Sequence, residues 1–274
     1  MRWINKRESQ TRKKAHHIVS KFIRSCWDED THQYINCNYD EFKKKKKFIF
    51  LLNREQNYRC CYCMRNLYLE GADKNDTLEH VMPRNVKKKD IGHYYKCIDF
   101  FRRSVSVNTF KKDKKWRGYK FPHFCAYENL TLSCNGSLYQ TENPKAEIRS
   151  KLHYTCNNPR KDEKIEPLFF YRGIEKQFGY DNDGLILCNP KYESTLKTLH
   201  LENETLVLIR KGWAHIATKY STSDVLKAKK NKKLRQDMVD IMQMSYKEEQ
   251  KMMNDLYWHL FSQFSWFDQY FKCK

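Results

Sequence analysis

Cys60 and Cys63 form a C-x-x-C pair. Two thiolates at that spacing can grip one tetrahedral zinc ion from a tight turn, provided a second pair arrives from elsewhere. The second pair on offer is Cys134 and Cys156, embedded in Leu132-Ser133-Cys134-Asn135-Gly136 and Tyr154-Thr155-Cys156-Asn157-Asn158. Cys61, Cys97 and Cys125 are alternative ligands, and some of these thiols can equally be buried without metal. A redox role for Cys60 and Cys63 would require a surrounding βαβ pattern, which the sequence lacks. Between the pairs lies Leu78-Glu79-His80-Val81-Met82-Pro83-Arg84. A carboxylate next to an imidazole can divide the two tasks of phosphodiester hydrolysis. The carboxylate holds a hard divalent cation, while the neutral imidazole takes a proton from water. A lone Glu-His dipeptide carries little weight, but Tyr127-Glu128-Asn129-Leu130 and then Cys156-Asn157 make it part of an ordered series.

The rest of the chain must position these residues, and composition separates it into four regions. Residues 1–50 are basic and helix-compatible, with Ile18, Phe22 and Ile23 as a weak apolar face, and they end near the lysine run Lys43 to Lys47. Such a run is a solvated face or a phosphate contact. Residues 51–168 carry nearly all the chemistry, and a helix from Phe48 to Tyr58 leads into the first cysteines. Residues 169–222 read as strand-rich: the turn signal Asp181-Asn182-Asp183-Gly184 precedes Leu185-Ile186-Leu187-Cys188, and Leu206-Val207-Leu208-Ile209 is a second short apolar run. Residues 223–274 begin at a helix cap, Ser223-Asp224, and form a helical segment that could dock a partner. Its aromatic end (Tyr257, Trp258, Phe261, Phe264, Trp266, Phe267) reads as core or interface packing.

Fifty-three lysines and arginines against 33 acidic residues give a net charge of +20 over 274 residues. An excess of this size draws the chain to polyanions: a nucleic-acid backbone, an anionic membrane surface or an acidic partner. No apolar run approaches the roughly 18 residues of a membrane span. The start, Met1-Arg2-Trp3-Ile4-Asn5-Lys6-Arg7, has no apolar core of the signal-peptide kind, so the expected location is the cytoplasm. In that reducing compartment, eleven cysteines point to metal ligands or buried thiols rather than disulfides.

Taken in order, C-x-x-C, Glu-His-x-x-Pro, Asn-Leu, Ser-Cys and Cys-Asn resemble the HNH, or ββα-metal, endonucleases. The stretch Leu51-Leu52-Asn53-Arg54-Glu55-Gln56-Asn57-Tyr58-Arg59-Cys60-Cys61-Tyr62-Cys63-Met64-Arg65 is similar to the HNH nucleases of bacterial anti-phage defence. Within these, the resemblance is to the PtuB component of Septu systems and its retron-associated relatives. It extends through Lys161-Asp162, Ile165-Glu166-Pro167, Tyr180-Asp181-Asn182-Asp183-Gly184-Leu185-Ile186 and the segment 199–210. It implies an α+β fold, a small zinc-knuckled ββα-metal core with helical N- and C-terminal additions. Glu79 and His80 would stand on the first strand of that core, and Asn157 near the start of its helix.

Carried over by residue, the resemblance makes His80 the general base and Glu79 a ligand of a catalytic Mg²⁺ or Mn²⁺. Asn157 would be the second ligand of that ion, and Asn129 would fix the loop that carries the base. Cys60, Cys63, Cys134 and Cys156 would hold a structural Zn²⁺. Arg84 and Lys161 are phosphate contacts or solvated surface charge. A His80 that must be neutral to act implies activity rising with pH through about 6.5. In the family the second cysteine pair is close together, whereas Gly136 to Thr155 intervene here. The interval from His80 to Asn129 is also long.

The implied activity is a metal-dependent endonuclease acting on DNA, or on RNA by the same chemistry, beside a PtuA-like ATPase subunit. The chain has no Gly-x-x-x-x-Gly-Lys-Ser/Thr loop, so any ATP dependence would come from that partner. The competing readings are a non-catalytic zinc-stabilised nucleic-acid-binding module and a scaffold whose basic tail docks a partner.

Overall fold

The computed structural model describes residues 1–67, 76–98, 123–137, 154–228, 231–243 and 263–264. It is an α+β chain of helices and small antiparallel sheets, in two compact units. The first comprises Met1–Tyr62, Leu67–Asn135 and Arg160–Glu175; the second comprises Cys63–Asn66, Gly136–Pro159 and Lys176–Lys274. Of the terminal aromatic residues, Phe264 is buried, while Tyr257, Trp258, Phe261, Trp266 and Phe267 lie outside the described residues.

In the first unit, helix α1 (Ser9–Ser25) starts where the Glu8 carboxylate accepts the backbone N–H groups of Gln10 and Thr11. A side-chain acceptor at that position satisfies donors that no helical carbonyl can reach. Its buried stripe is Ala15, Val19, Phe22 and Ile23, one helical face, while Ile18 is only half-buried. The two-residue strands β1 (Trp27–Asp28) and β2 (Gln33–Tyr34) pair antiparallel. Helices α2 (Tyr39–Phe42) and α3 (Lys46–Glu55) follow, and the rings of Phe22, Phe42 and Phe48 meet edge to face at 5.1 and 4.9 Å.

Strand β3 (Asp76–His80) ends on the candidate base, helix α4 (Ile91–Cys97) follows, and strand β4 (Leu130–Cys134) returns antiparallel with His80 opposite Leu130. All five residues of β4 are buried, polar ones included. One reason is the Gln56 side chain. Its amide accepts the Leu132 N–H at 2.7 Å and donates to the Leu132 carbonyl at 2.8 Å. The turn before β4 is tied to α1 as well, because the buried Glu128 carboxylate receives His16 at 2.8 Å and Arg12 at 3.3 Å, two residues one helical turn apart.

Four-residue helix α5 (Asn157–Arg160) precedes the second unit's hairpin, β5 (Phe178–Tyr180) paired with β6 (Ile186–Cys188). The turn between them is the one expected from Asp181 to Gly184. Gly184 has φ +83°, and a Cβ there would stand 2.2 Å from the Val207 carbonyl oxygen. Helices α6 (Glu193–Thr198), α7 (Glu204–Ala217), α8 (Thr222–Ala228) and α9 (Lys232–Gln243) complete the unit.

The second apolar run of the expected strand-rich region is therefore helical: Leu206 to Ile209 lies inside α7. The Asn203 side chain caps that helix by accepting the Thr205 N–H at 2.9 Å. Leu206, Ile209, Trp213 and Ile216 are buried at helical intervals, a period that four consecutive apolar residues conceal. Among the described residues no helix is long and apolar enough to cross a membrane.

Candidate active site and metal centre

His80 closes β3 with only 8% of its surface exposed. Its Nε2 lies 2.9 Å from the Phe124 carbonyl oxygen. A carbonyl can only accept, so Nε2 carries the hydrogen and Nδ1 keeps its lone pair. The Tyr39 ring packs 4.7 Å from the imidazole, and its hydroxyl is anchored on the Leu78 carbonyl at 2.7 Å. Burial pushes the His80 pKa down to about 3, against the pull of the Phe124 carbonyl. The imidazole is therefore neutral well below the pH of about 6.5 expected for an unperturbed histidine.

Asn129 braces the residue that precedes Phe124. Its Nδ2 donates to the carbonyls of Met82 at 3.0 Å and His123 at 2.9 Å, while its Oδ1 accepts the Met82 N–H at 2.6 Å. Its own carbonyl takes the Val81 N–H at 2.9 Å. One buried carboxamide thus ties the chain leaving β3 to the chain arriving at residue 123, next to the group that orients His80. These bonds satisfy buried backbone groups that no strand or helix serves.

Glu79 is buried, and its side chain has different company from that of His80. Its Oε1 accepts Arg160 Nη1 at 2.6 Å and the Tyr62 hydroxyl at 3.1 Å. Arg160 is itself fully buried and also donates to the carbonyls of His80, at 2.8 Å, and Val81. Burial pushes Glu79 up to about 7, with the Arg160 guanidinium and the Tyr62 hydroxyl opposing it. The pKa of Arg160 rises in turn, because Tyr62, Glu79 and Tyr94 favour its charge by more than burial penalises it.

Sequence reasoning missed Arg160 and singled out its neighbour Lys161, which is exposed and sits at φ +50°. Arg84, the other candidate phosphate contact, is exposed and lies over the Tyr39 ring at 4.7 Å. The segments bearing Arg84 and Lys161 run together, with Asn85 donating to Asp162 at 3.2 Å and Lys87 paired with Glu163 at 3.1 Å. Asn157 is the first residue of α5 and half-buried.

The thiols of Cys60, Cys63, Cys134 and Cys156 are all buried, free of disulfides, and within 4.8 Å of one another. Four thiolates around one zinc at bonds of about 2.3 Å stand about 3.8 Å apart, so this cluster could hold such an ion. The Tyr62 N–H donates to Cys60 Sγ at 3.4 Å, folding the C-x-x-C turn around that sulfur. Gly136 has φ +78°, and a Cβ there would meet the Thr155 carbonyl oxygen at 2.5 Å. The Thr155 N–H bonds the Gly136 carbonyl at 2.9 Å, so the backbone closes at the base of the long insertion, next to Cys156.

Cys61, Cys97 and Cys125 are not members of this group. Cys61 instead accepts the Thr131 hydroxyl at 3.5 Å. A residue not anticipated is Arg210, buried beneath the Tyr180 ring at 5.1 Å and bonded to the Leu201 and Gly184 carbonyls. Burial lowers its pKa, while Tyr180 and the Cys63 and Cys156 thiols favour its charge.

No family model and no curated protein matches the sequence.

Proposed function

We propose that this chain is a metal-dependent endonuclease of the HNH type that hydrolyses phosphodiester bonds in DNA, or in RNA by the same chemistry. The observation that carries the reading is the geometry of His80. It is a neutral imidazole at a strand end, locked as the Nε2–H tautomer by a backbone carbonyl, with Nδ1 kept as the proton acceptor. A general base must be held in one tautomer and one orientation, and Asn129 supports both through its grip on the neighbouring loop.

His80 takes the proton of the attacking water through Nδ1. Glu79 is the side chain that would hold Mg²⁺ or Mn²⁺, which would supply charge neutralisation at phosphorus and at the leaving oxygen. Arg160 opposes the burial that raises the Glu79 pKa and points its carboxylate, using one of its oxygens. Arg84 and Lys161, exposed on adjoining segments, would meet phosphates, aided by the net charge of +20. The four buried cysteines fit a structural Zn²⁺ that fixes the chain around the hairpin. In keeping with its resemblance to the Septu nucleases, the chain acts in anti-phage defence, in the cytoplasm, with a PtuA-like ATPase subunit.

The test is cleavage of duplex DNA, single strands and tRNA with Mg²⁺ or Mn²⁺, by the parent and His80→Ala, each with and without the ATPase. Cleavage lost only in the variant, with zinc content unchanged, is the expected result. Equal cleavage by both removes His80 from the chemistry. Binding without cleavage by either, under all these conditions, returns the protein to the class of zinc-stabilised binding modules. The low His80 pKa also replaces the simple expectation of a rise near pH 6.5: the ionisation of His80 in the free protein lies far below that pH.

A further inference from the structure

Helix α4 carries His93 and Cys97 one turn apart, so both side chains leave the same face. Glu166 meets them from the segment that follows α5. His93 Nε2 lies 3.3 Å from Glu166 Oε2 and 3.8 Å from Cys97 Sγ, and the sulfur lies 3.7 Å from Glu166 Oε1; a bond from Nε2 to zinc would replace its weak 3.4 Å contact with the Ile165 carbonyl oxygen. A tetrahedral zinc ion with bonds of 2.0–2.3 Å holds its ligand atoms about 3.3–3.8 Å apart, the same spacing. The Tyr171 hydroxyl donates to Glu166 Oε1 and, at 3.6 Å, to Cys97 Sγ, so the carboxylate and the sulfur are held from a second side.

A mixed set of nitrogen, sulfur and oxygen donors suits zinc; magnesium and calcium prefer oxygen alone. The His93 and Glu166 side chains keep 20% and 31% of their surfaces exposed, so solvent reaches the group. A cavity of about 540 Å³ also opens beside it, lined by Cys97 and Tyr171 together with Lys6, Arg7 and Arg172. Glu128 lines the same space but is already engaged with Arg12 and His16.

We propose that His93, Cys97 and Glu166 form a second zinc site, distinct from the four-cysteine cluster, with a fourth position left for water or a small anion from this cavity. Three protein ligands and one exchangeable position distinguish reactive or regulatory zinc sites from closed structural ones. The site is independent of the nuclease reading, since none of its ligands belongs to the machinery around His80.

The test is zinc content per full-length chain, measured for the parent and for Cys97→Ser, His93→Ala and Glu166→Gln, with circular dichroism as the control for folding. Each variant is expected to hold one equivalent fewer than the parent. In the cobalt-loaded protein each should lose the absorption of a one-thiolate site, while the intense bands of the four-thiolate site persist. Cys60→Ser should do the reverse. Variants that fold and keep the parent's full zinc content and cobalt spectrum would overturn the proposal and leave the cluster a hydrogen-bonded network. Glu166→Gln, at a side chain more exposed than that of His93, keeps the test decisive if the other two variants fail to fold.

Discussion

Glu79 and His80 are consecutive, both buried, and placed by strand alternation on opposite faces of the β3–β4 hairpin. On one face an ionisable group is accommodated by a buried counter-charge, Arg160, with Tyr62 as a further donor. On the other face the ionisable group is accommodated by remaining uncharged, against a carbonyl and an aromatic ring. Neighbouring positions thus meet the cost of burying charge in two different ways. The two states differ accordingly: a carboxyl whose charged form burial opposes and Arg160 supports, and an imidazole that stays neutral against the Phe124 carbonyl.

The largest way to break this contrast is to remove the counter-charge. Arg160→Met leaves Glu79 buried without its partner and should cost about 3–5 kcal/mol of stability. Combining it with Glu79→Gln should recover most of that loss, and a double-mutant cycle in urea unfolding checks both values. If the double variant is no better than Arg160→Met alone, the guanidinium serves the His80 and Val81 carbonyls rather than the carboxylate.

Disturbing the neutral face should cost less. Asn129→Ala strands the Met82 and His123 backbone groups, for a loss of about 2–3 kcal/mol. It should also broaden or shift the Nε2–H signal of His80 in nitrogen NMR. An unchanged signal would mean that the Phe124 carbonyl holds its place without Asn129.

The pH test is the most discriminating, because the two faces have opposite pH signatures. His80 is lowered from 6.5 to about 3, so its contribution to stability is full above pH 6.5 and is lost as pH falls toward 3. Glu79 is raised from 4.5 to about 7, so its contribution is full below pH 4.5 and is lost as pH rises through 7. Each slope is at most about 1.4 kcal/mol per pH unit, and the two oppose each other between roughly pH 4.5 and 6.5. His80→Gln should therefore make stability fall with rising pH in that window relative to the parent, and Glu79→Gln should make it climb. Parallel stability curves for the two variants would sink the assignment.

Much of this arrangement was legible in the sequence, for reasons that differ by residue. Asp181 to Gly184 announced its turn through residue chemistry, and Asn203, though not singled out beforehand, is an ordinary helix cap. Cys60 and Cys63 were legible through their C-x-x-C spacing, and Cys134 and Cys156 as the second pair that such a pair would require. Arg160 was not, since nothing in Asn157-Asn158-Pro159-Arg160-Lys161 says which of two consecutive basic residues turns inward. The Phe124 carbonyl was equally hidden, because a backbone acceptor leaves no trace in residue type. His93 and Cys97 share a helix face, but their partner Glu166 stands 69 residues from Cys97, a distance only the fold can close.

Gln56 has a consequence for how the molecule behaves in company. A two-stranded hairpin normally offers the free side of each strand to any extended peptide that drifts by, the usual seed of edge-to-edge aggregation. On β4 the side-chain amide of Gln56 already occupies both the N–H and the carbonyl of Leu132, and the Cys61 N–H adds a bond to the same carbonyl at 3.0 Å. A carboxamide thus imitates a neighbouring strand for one residue, and a chain seeking to extend the sheet there finds its place taken.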